Sequence, residues 1–379
     1  MDPLLCFARE KQKEIIALIR EFVECESPSD QPASVNRFVD LMAARVADIA
    51  RVRTYSGGAF GKHMRCEFAL PGARRRGRIL ALGHSDTVWP LGTLKTMPFR
   101  QARARLWGPA VLDMKAGLAF FVFAMRALRE LDVPVAKKVV LQVNSDEEVH
   151  SESSRPLTEE AAQASDAVLV LEPGTGLDGK LKTARKGVGD YTITVRGRAS
   201  HAGVDFSNGA SAITEMARQI ERIAGFTRLD RGITVSPGVI SGGTRSNVVA
   251  AECRAVVDVR APRDHDRKYL ERQFGALKPF DKRCTVEVTG GISRPPLERS
   301  AAVRRLFGLA KELAADLGVG LEESASGGGS DGNFTAALGV PTLDGLGAVG
   351  EGAHAANESI LIERIADRTA LLAKLVAAL

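Results

Sequence analysis

The apolar and polar positions of this chain change period several times, and the changes mark out its elements. Leu4, Leu5, Ile15, Ile16, Leu18, Ile19, Phe22 and Val23 follow the 3.6-residue spacing of an amphipathic helix. The pattern predicts a helix over Glu10–Glu24, ended near Ser27-Pro28, and another over Val35–Ile49. Apolar, β-prone runs at Met64–Leu70 and Ile79–Leu82 read as strands. A wide apolar face predicts a helix over Met114–Leu131. It is followed by a strand at Lys138–Val143, a short helix near Glu159–Ala164 and a strand at Ala167–Leu171. Strands alternating with helices imply an α/β fold, a mostly parallel mixed sheet flanked by helices on both faces.

The rhythm shifts after Gly187. A strand at Asp190–Arg196, a helix at Ala210–Ala224, strands at Ile233–Ile240 and Val248–Val259, a helix at Arg267–Leu277 and a strand at Thr285–Thr289 follow in turn. This β-α-β-β-α-β run is the signature of an α+β two-layer, ferredoxin-like unit. Past Pro295-Pro296 the α/β rhythm resumes, with helices at Ala301–Leu317 and Ile362–Ala378 separated by the glycine run Gly327–Gly329. The organisation expected is therefore a catalytic domain in two parts, residues 1–186 and 295–379, around an inserted domain at 187–294.

Composition narrows the classes. At 379 residues, two domains is the natural division, and 45% apolar with 26% charged residues is ordinary for a globular chain. No apolar run reaches the length of a membrane span and no secretory signal is visible, so a cytoplasmic protein without a membrane partner is expected. The five cysteines form no CxxC pair and are expected to be reduced. A net charge of +6 and the cluster Arg74–Arg78 raise the question of nucleic acid. With three Tyr and two Trp the chain offers few stacking platforms, so a solvated turn is the better reading and no nucleic-acid partner is expected.

The chemistry sits at strand ends. Gly83-His84-Ser85-Asp86 follows one buried run, Asp146-Glu147-Glu148 follows the next, and Leu171-Glu172-Pro173 ends a third. An open α/β sheet presents its functional groups at the carboxyl ends of such strands. Together with Asp113 and His354, these residues supply ligands for two divalent ions and one spare carboxylate, which points to a two-metal hydrolase. Asp113, after the Gly108-Pro109 turn, suits the carboxylate that bridges two ions. Asp86 lies close enough to His84 to accept its imidazole N–H. Glu147 and Glu148, if extended, point in opposite directions, so that one ligates while the other serves as general base. Each residue also has an ordinary reading: a structural histidine, a helix cap, a solvated acidic pair. Their joint placement favours the functional one.

In order along the chain come Gly-His-Ser-Asp-Thr-Val (83–88), Gly-Pro…Asp-Met-Lys-Ala-Gly (108–117), Asp-Glu-Glu (146–148), Leu-Glu-Pro (171–173), Ala-Ser-His-Ala-Gly (199–203) and Gly-Gly-Gly-Ser-Asp-Gly (327–332). The set resembles the co-catalytic zinc aminoacyl-hydrolases, which include bacterial glutamate carboxypeptidase, acetylornithine deacetylase, succinyl-diaminopimelate desuccinylase and aminoacylase. The glutamate carboxypeptidase branch is the best match, through His84–Val88, Gly327–Asp331 and Arg294-Pro295. The resemblance implies two metal ions, zinc foremost with cobalt or manganese as alternatives. His84 and Glu172 would hold one and Glu148 and His354 the other, with Asp113 bridging and Glu147 as the base. It further implies that the inserted domain is a lid and homodimer interface. His201 would stabilise the oxyanion, Asn247 and Arg260 would bind a substrate carboxylate, and Arg294 and Gly328 would line the rest of the substrate site.

The chain departs from the resembling pattern at three places: Ala110 stands for a usual glycine before Asp113, His150 and Ser153 stand for two glycines after the acidic pair, and Ser359 replaces an aromatic after Glu358. The activity implied is hydrolysis of an amide joining an acyl group, or a short peptide, to a C-terminal amino acid, foremost glutamate. The alternatives are an N-acyl-amino-acid deacylase with a non-acidic preference and a non-catalytic binding protein on the same fold. An intact Glu147 argues against the last.

Overall fold

The computed structural model describes residues 2–73 and 77–379, so Arg74, Arg75 and Arg76 of the basic cluster lie outside the described residues. The chain divides into two compact units: Met1–Ala184 with Arg299–Ser326 and Ser330–Leu379, and Arg185–Glu298 with Gly327–Gly329.

The first unit is built on a six-stranded sheet in the order Ala50–Ser56, Lys62–Phe68, Lys138–Asn144, Arg78–His84, Ala167–Val170 and Thr342–Leu343. The first two junctions are antiparallel and the remaining three parallel, so the sheet is mixed. Side chains alternate across it. Ile79, Ala81, Val139 and Leu141 face one core shared with the helices Gln12–Glu24, Ala116–Glu130 and Ile365–Ala378. Leu80, Leu82, Val140 and Val168 face a smaller core closed by Ala161 and Ala162 of the helix Arg155–Gln163. Burial on both faces explains why these strands read as continuous apolar runs.

Several boundaries differ from the sequence reading, each for a local reason. The first helix is two, Pro3–Glu10 and Gln12–Glu24, broken at Lys11. The earlier one is started by Asp2, whose carboxylate accepts from Leu4 N at 2.9 Å and Leu5 N at 3.2 Å, with Pro3 in the first helical turn. The short helix begins at Arg155 rather than Glu159, again with a proline in its first turn. The strand Ala50–Ser56 escapes the apolar pattern because it is an edge strand with no buried side chain.

The second unit is an antiparallel sheet in the order Thr234–Gly242, Glu252–Ala261, Gly187–Arg196 and Thr285–Arg294. Its strands and the helices Ala212–Ala224 and Asp264–Gly275 follow the β-α-β-β-α-β order. Tyr191, Ile193, Val195, Met216, Ile223, Leu270 and Phe274 form its core, which lies on one face of the sheet. The last strand runs five residues beyond the expected Thr289 because Gly290 and Gly291 stay paired, with a bulge between Ile292 and Arg294. All five cysteines are free thiols. No helix among the described residues is long and apolar enough to cross a membrane.

Candidate metal centre

Three adjacent parallel strands end together. His84 closes Arg78–His84, Asn144 leads into Asp146-Glu147-Glu148, and Leu171-Glu172 follows Ala167–Val170. His84 is buried, and its Nδ1 donates to the backbone carbonyl of Asp86 at 2.9 Å. That bond turns Nε2 toward Asp113 Oδ1 at 3.2 Å and Glu172 Oε1 at 3.4 Å. On the other side of the same carboxylate, Asp113 Oδ2 stands 3.4 Å from His354 Nε2, which is 3.2 Å from Glu148 Oε1. Two ligand triads result, His84–Asp113–Glu172 and Asp113–Glu148–His354, each with its ligand atoms within 4.8 Å of one another. They share Asp113 and use its two oxygens separately.

Electrostatics tests whether this cluster suits divalent metal. Burial disfavours a charged His84, yet the Asp113 and Glu172 carboxylates hold its pKa well above the ordinary value. Asp113 and Glu148 lift His354 to about 10. Burial acts to raise Asp113, but the imidazoles of His354 and His84 outweigh it and hold the carboxyl below its usual range. The carboxylates therefore demand positive charge, which protonated imidazoles or divalent ions can supply. Glu148 Oε1 is buried and faces only the His354 imidazole at 3.2 Å, so its charge is offset by a protonated ring or by a cation held between the two. Imidazole with carboxylate oxygen is the donor set of zinc, cobalt and manganese, so the residues fit two such ions.

Two sequence expectations about the surrounding groups need correction. Glu147 and Glu148 are not extended but occupy a single 3₁₀ turn, Glu147–Val149. Glu148 joins the metal cluster while Glu147, in neither triad, is near enough for its charge to be felt at His84. The Asp86 carboxylate does not accept the His84 N–H, from which its Oδ1 stands 3.6 Å away. It accepts instead from Glu147 N and Glu148 N, both at 3.1 Å, and from Ser29 Oγ at 2.8 Å. Asp86 thus fixes the acidic turn, and its burial raises its pKa to about 6. The reason is competition: two backbone N–H groups at the start of a turn offer better geometry than a ring whose proton the neighbouring carbonyl already takes.

The sequence reading missed the role of Glu358. Its fully buried carboxylate accepts from Leu112 N at 2.9 Å and Asp113 N at 3.1 Å through Oε1. Through Oε2 it accepts from Ala110 N at 2.9 Å and Trp89 Nε1 at 2.8 Å. It clamps the loop that carries Asp113, and burial pushes it up to about 7 despite these bonds. The only signal in the sequence was an acidic residue four positions after His354. Ala110 adopts φ +58°, which explains the glycine usual there; an L-residue so placed costs about 1–2 kcal/mol.

The remaining candidates lie in the second unit. His201 Nδ1 accepts from Gly203 N at 3.2 Å and Val204 N at 3.1 Å, so the proton sits on Nε2 of an exposed ring. Ala202 N donates to Asn247 O at 2.9 Å, which puts the His201 and Asn247 segments side by side. Arg260 is held by Asp258 through bonds of 3.0 and 2.7 Å. Arg294 is buried, and a Cβ built on Gly329 would stand 3.0 Å from its Cδ. The Gly328 carbonyl accepts from Arg185 Nη1 at 3.1 Å.

Residues 80–378 match the model of peptidase family M20/M25/M40. The chain belongs to this family. Carboxypeptidase G2 from Pseudomonas sp. is 27% identical over 97% of this chain and 90% of its own. A succinyl-diaminopimelate desuccinylase from Cereibacter sphaeroides is 30% identical over 75% of this chain and 78% of its own. Among solved structures, a dinuclear metal-binding M20 peptidase from Bacillus subtilis superposes with a TM-score of 0.68 at 14% identity, covering 98% of both chains. Aminopeptidase PepT from Bacillus cereus gives 0.77 at 22% identity over 97% of this chain and 98% of its own. The structural likenesses speak to the mixed α/β fold. The protein is a metal-dependent hydrolase of the M20 class, carboxypeptidase-like, and its paired triads are the candidate dinuclear centre.

Proposed function

We propose that this enzyme hydrolyses the amide between an acyl group and a C-terminal amino acid with a free carboxylate, foremost glutamate. The observation that carries the reading is the pair of triads sharing Asp113, with Glu147 on the same turn as the ligand Glu148. His84 and Glu172 would hold one ion, Glu148 and His354 the other, and Asp113 both. Two divalent ions so held, zinc foremost, supply Lewis acidity and a water of lowered pKa. Glu147 takes the proton of the attacking water and delivers it to the leaving nitrogen. His201, protonated on Nε2, donates to the developing oxyanion, and donors of this kind contribute about 3 kcal/mol to the transition state.

Asn247 and Arg260 receive the substrate α-carboxylate, and Arg294 with Gly328 lines the side-chain pocket. The ferredoxin-like unit, residues 187–294 in the sequence division, acts as a lid and as the surface of a homodimer. Val239 and Ile240, exposed on its edge strand Thr234–Gly242, support the second role. The enzyme works in the cytoplasm on small N-acyl amino acids or short peptides, without nucleic acid or membrane. Similarity to Carboxypeptidase G2 over nearly the whole chain supports the carboxypeptidase reading. Similarity to a desuccinylase keeps a deacylase with another amino-acid preference as the second reading.

The test is a panel in which one acyl group is joined to Glu, Asp, Ala, Leu, Met and Arg, each assayed with and without chelator. Chelator-sensitive turnover highest on Glu or Asp is expected, and Arg294→Ala should reduce kcat/KM on glutamyl far more than on alanyl substrates. Turnover highest on neutral or basic residues, or equal losses in the variant, would favour the deacylase.

A further inference from the structure

We propose that His63, Ser153 and Asp146 form a positioning relay that holds the turn carrying Glu147 and Glu148, and so sets the affinity of the Glu148–His354 half of the metal site. The inference rests on the metal-centre reading above and extends it to three residues outside both triads.

The direction of each proton in the relay follows from its neighbours. His63 is fully buried on the strand Lys62–Phe68. Its Nδ1 accepts from Ser145 N at 3.1 Å and from Ser145 Oγ at 2.9 Å, so the ring proton belongs on Nε2. Nε2 then donates to Ser153 Oγ at 3.1 Å, and Ser153 Oγ donates to Asp146 Oδ2 at 2.6 Å. The same carboxylate oxygen accepts from Ser153 N at 2.7 Å and Ser154 N at 3.2 Å. Burial holds the His63 pKa below its ordinary value, so the ring stays neutral and the donor–acceptor order is preserved near neutral pH. The relay starts at Ser145, the residue after the strand Lys138–Asn144, and ends on Asp146; its Ser153–Asp146 link joins the two sides of the acidic turn Glu147–Val149.

That turn needs holding. His150 and Ser151 adopt φ of +81° and +57°, two successive L-residues in the left-handed region directly after Val149. A segment strained in this way persists only where its surroundings over-determine it. Asp86 grips the front of the turn through Glu147 N and Glu148 N, and Asp331 accepts from Ser151 Oγ at 2.5 Å. The relay supplies the third grip, on the far side, through the Ser153 hydroxyl. Loosening it releases Glu148, a ligand of one ion only, while His84 and Glu172 stand on separate strand ends. The relay thus acts on one metal position and not the other.

The experiment measures metal stoichiometry and both dissociation constants by chelator competition, on wild type, Ser153→Ala, His63→Gln and the double variant His150→Gly/Ser153→Ala. Thermal unfolding of each accompanies the titration. Wild type should bind two ions. Ser153→Ala should keep one ion at wild-type affinity and weaken the other about 10- to 100-fold, the range usual for lost outer-shell support. His63→Gln, which can donate and accept at similar positions, should lose less. His150→Gly relieves the strained position, so the double variant should recover most of the lost affinity. Two ions bound by wild type, with both constants unchanged in Ser153→Ala and His63→Gln or weakened equally, would overturn this inference while leaving the metal centre intact. Fewer than two ions in wild type would overturn the metal-centre reading itself.

Discussion

Replacing Glu358 with Gln probes how the loop around Asp113 is held. The wild-type carboxylate offers one oxygen to Leu112 N and Asp113 N and the other to Ala110 N and Trp89 Nε1. A carboxamide keeps one oxygen and turns its NH₂ toward the other pair of donors. Two hydrogen bonds to a charged acceptor are lost, each contributing about 1.5–3 kcal/mol. Against this, the wild type buries a charge: even with its four hydrogen bonds made, the Glu358 pKa rises from 4.5 to about 7, a net penalty of about 3 kcal/mol on the charged form that a neutral carboxamide does not carry. The two effects oppose each other, and the variant should fold.

Its metal binding should not survive so well. Asp113 belongs to both triads, so a looser Asp113 loop should weaken both ions together, by about 10- to 100-fold. The sign of the pH effect is also fixed. An acid whose folded pKa is raised loses stability as pH climbs from its unfolded to its folded value. Wild type should lose stability between pH 4.5 and about 7 through this group, and Glu358→Gln should lack that component. Chelator competition and denaturant unfolding against pH read both effects. Unchanged affinities, or weakening of one ion alone, would refute the clamp.

Two further outcomes follow from the site. Glu147→Gln should abolish turnover while retaining both ions, since Glu147 is in neither triad; near-normal turnover measured on the metal-loaded variant would remove it as the base. In metal-free protein, His354 with its raised pKa stabilises the fold fully below pH 6.5, and that contribution disappears as pH rises toward about 10. The Tm of chelated protein should therefore fall across that window, and adding metal should restore it most at the alkaline end. A Tm gap independent of pH would count against the histidine–carboxylate cluster as the site of metal.

Much of this architecture was written in local chemistry. His84, Glu148 and Glu172 are legible because each follows a run buried on both sheet faces, which produces an uninterrupted apolar stretch with a polar stop. Asp113 and His354 are legible through the turn residues beside them, Gly108-Pro109 and Gly352. What was not legible depends on which donor reaches which acceptor across long sequence separations. Asp86 lies two residues from His84, yet its carboxylate serves amides some sixty residues away. Glu358 reaches back to the Asp113 loop from a distant part of the chain. No spacing rule reports such pairings, because the fold brings the partners together. The 3₁₀ turn of Glu147 and Glu148 was hidden for the same reason, since an acidic pair after a strand carries no mark of the grips that bend it.

The most direct test of the account is anomalous diffraction from crystals of the zinc-loaded enzyme. The account predicts two peaks flanking the Asp113 carboxylate, one bounded by His84 and Glu172 and the other by Glu148 and His354. A single peak, or two peaks that do not share Asp113, would contradict it.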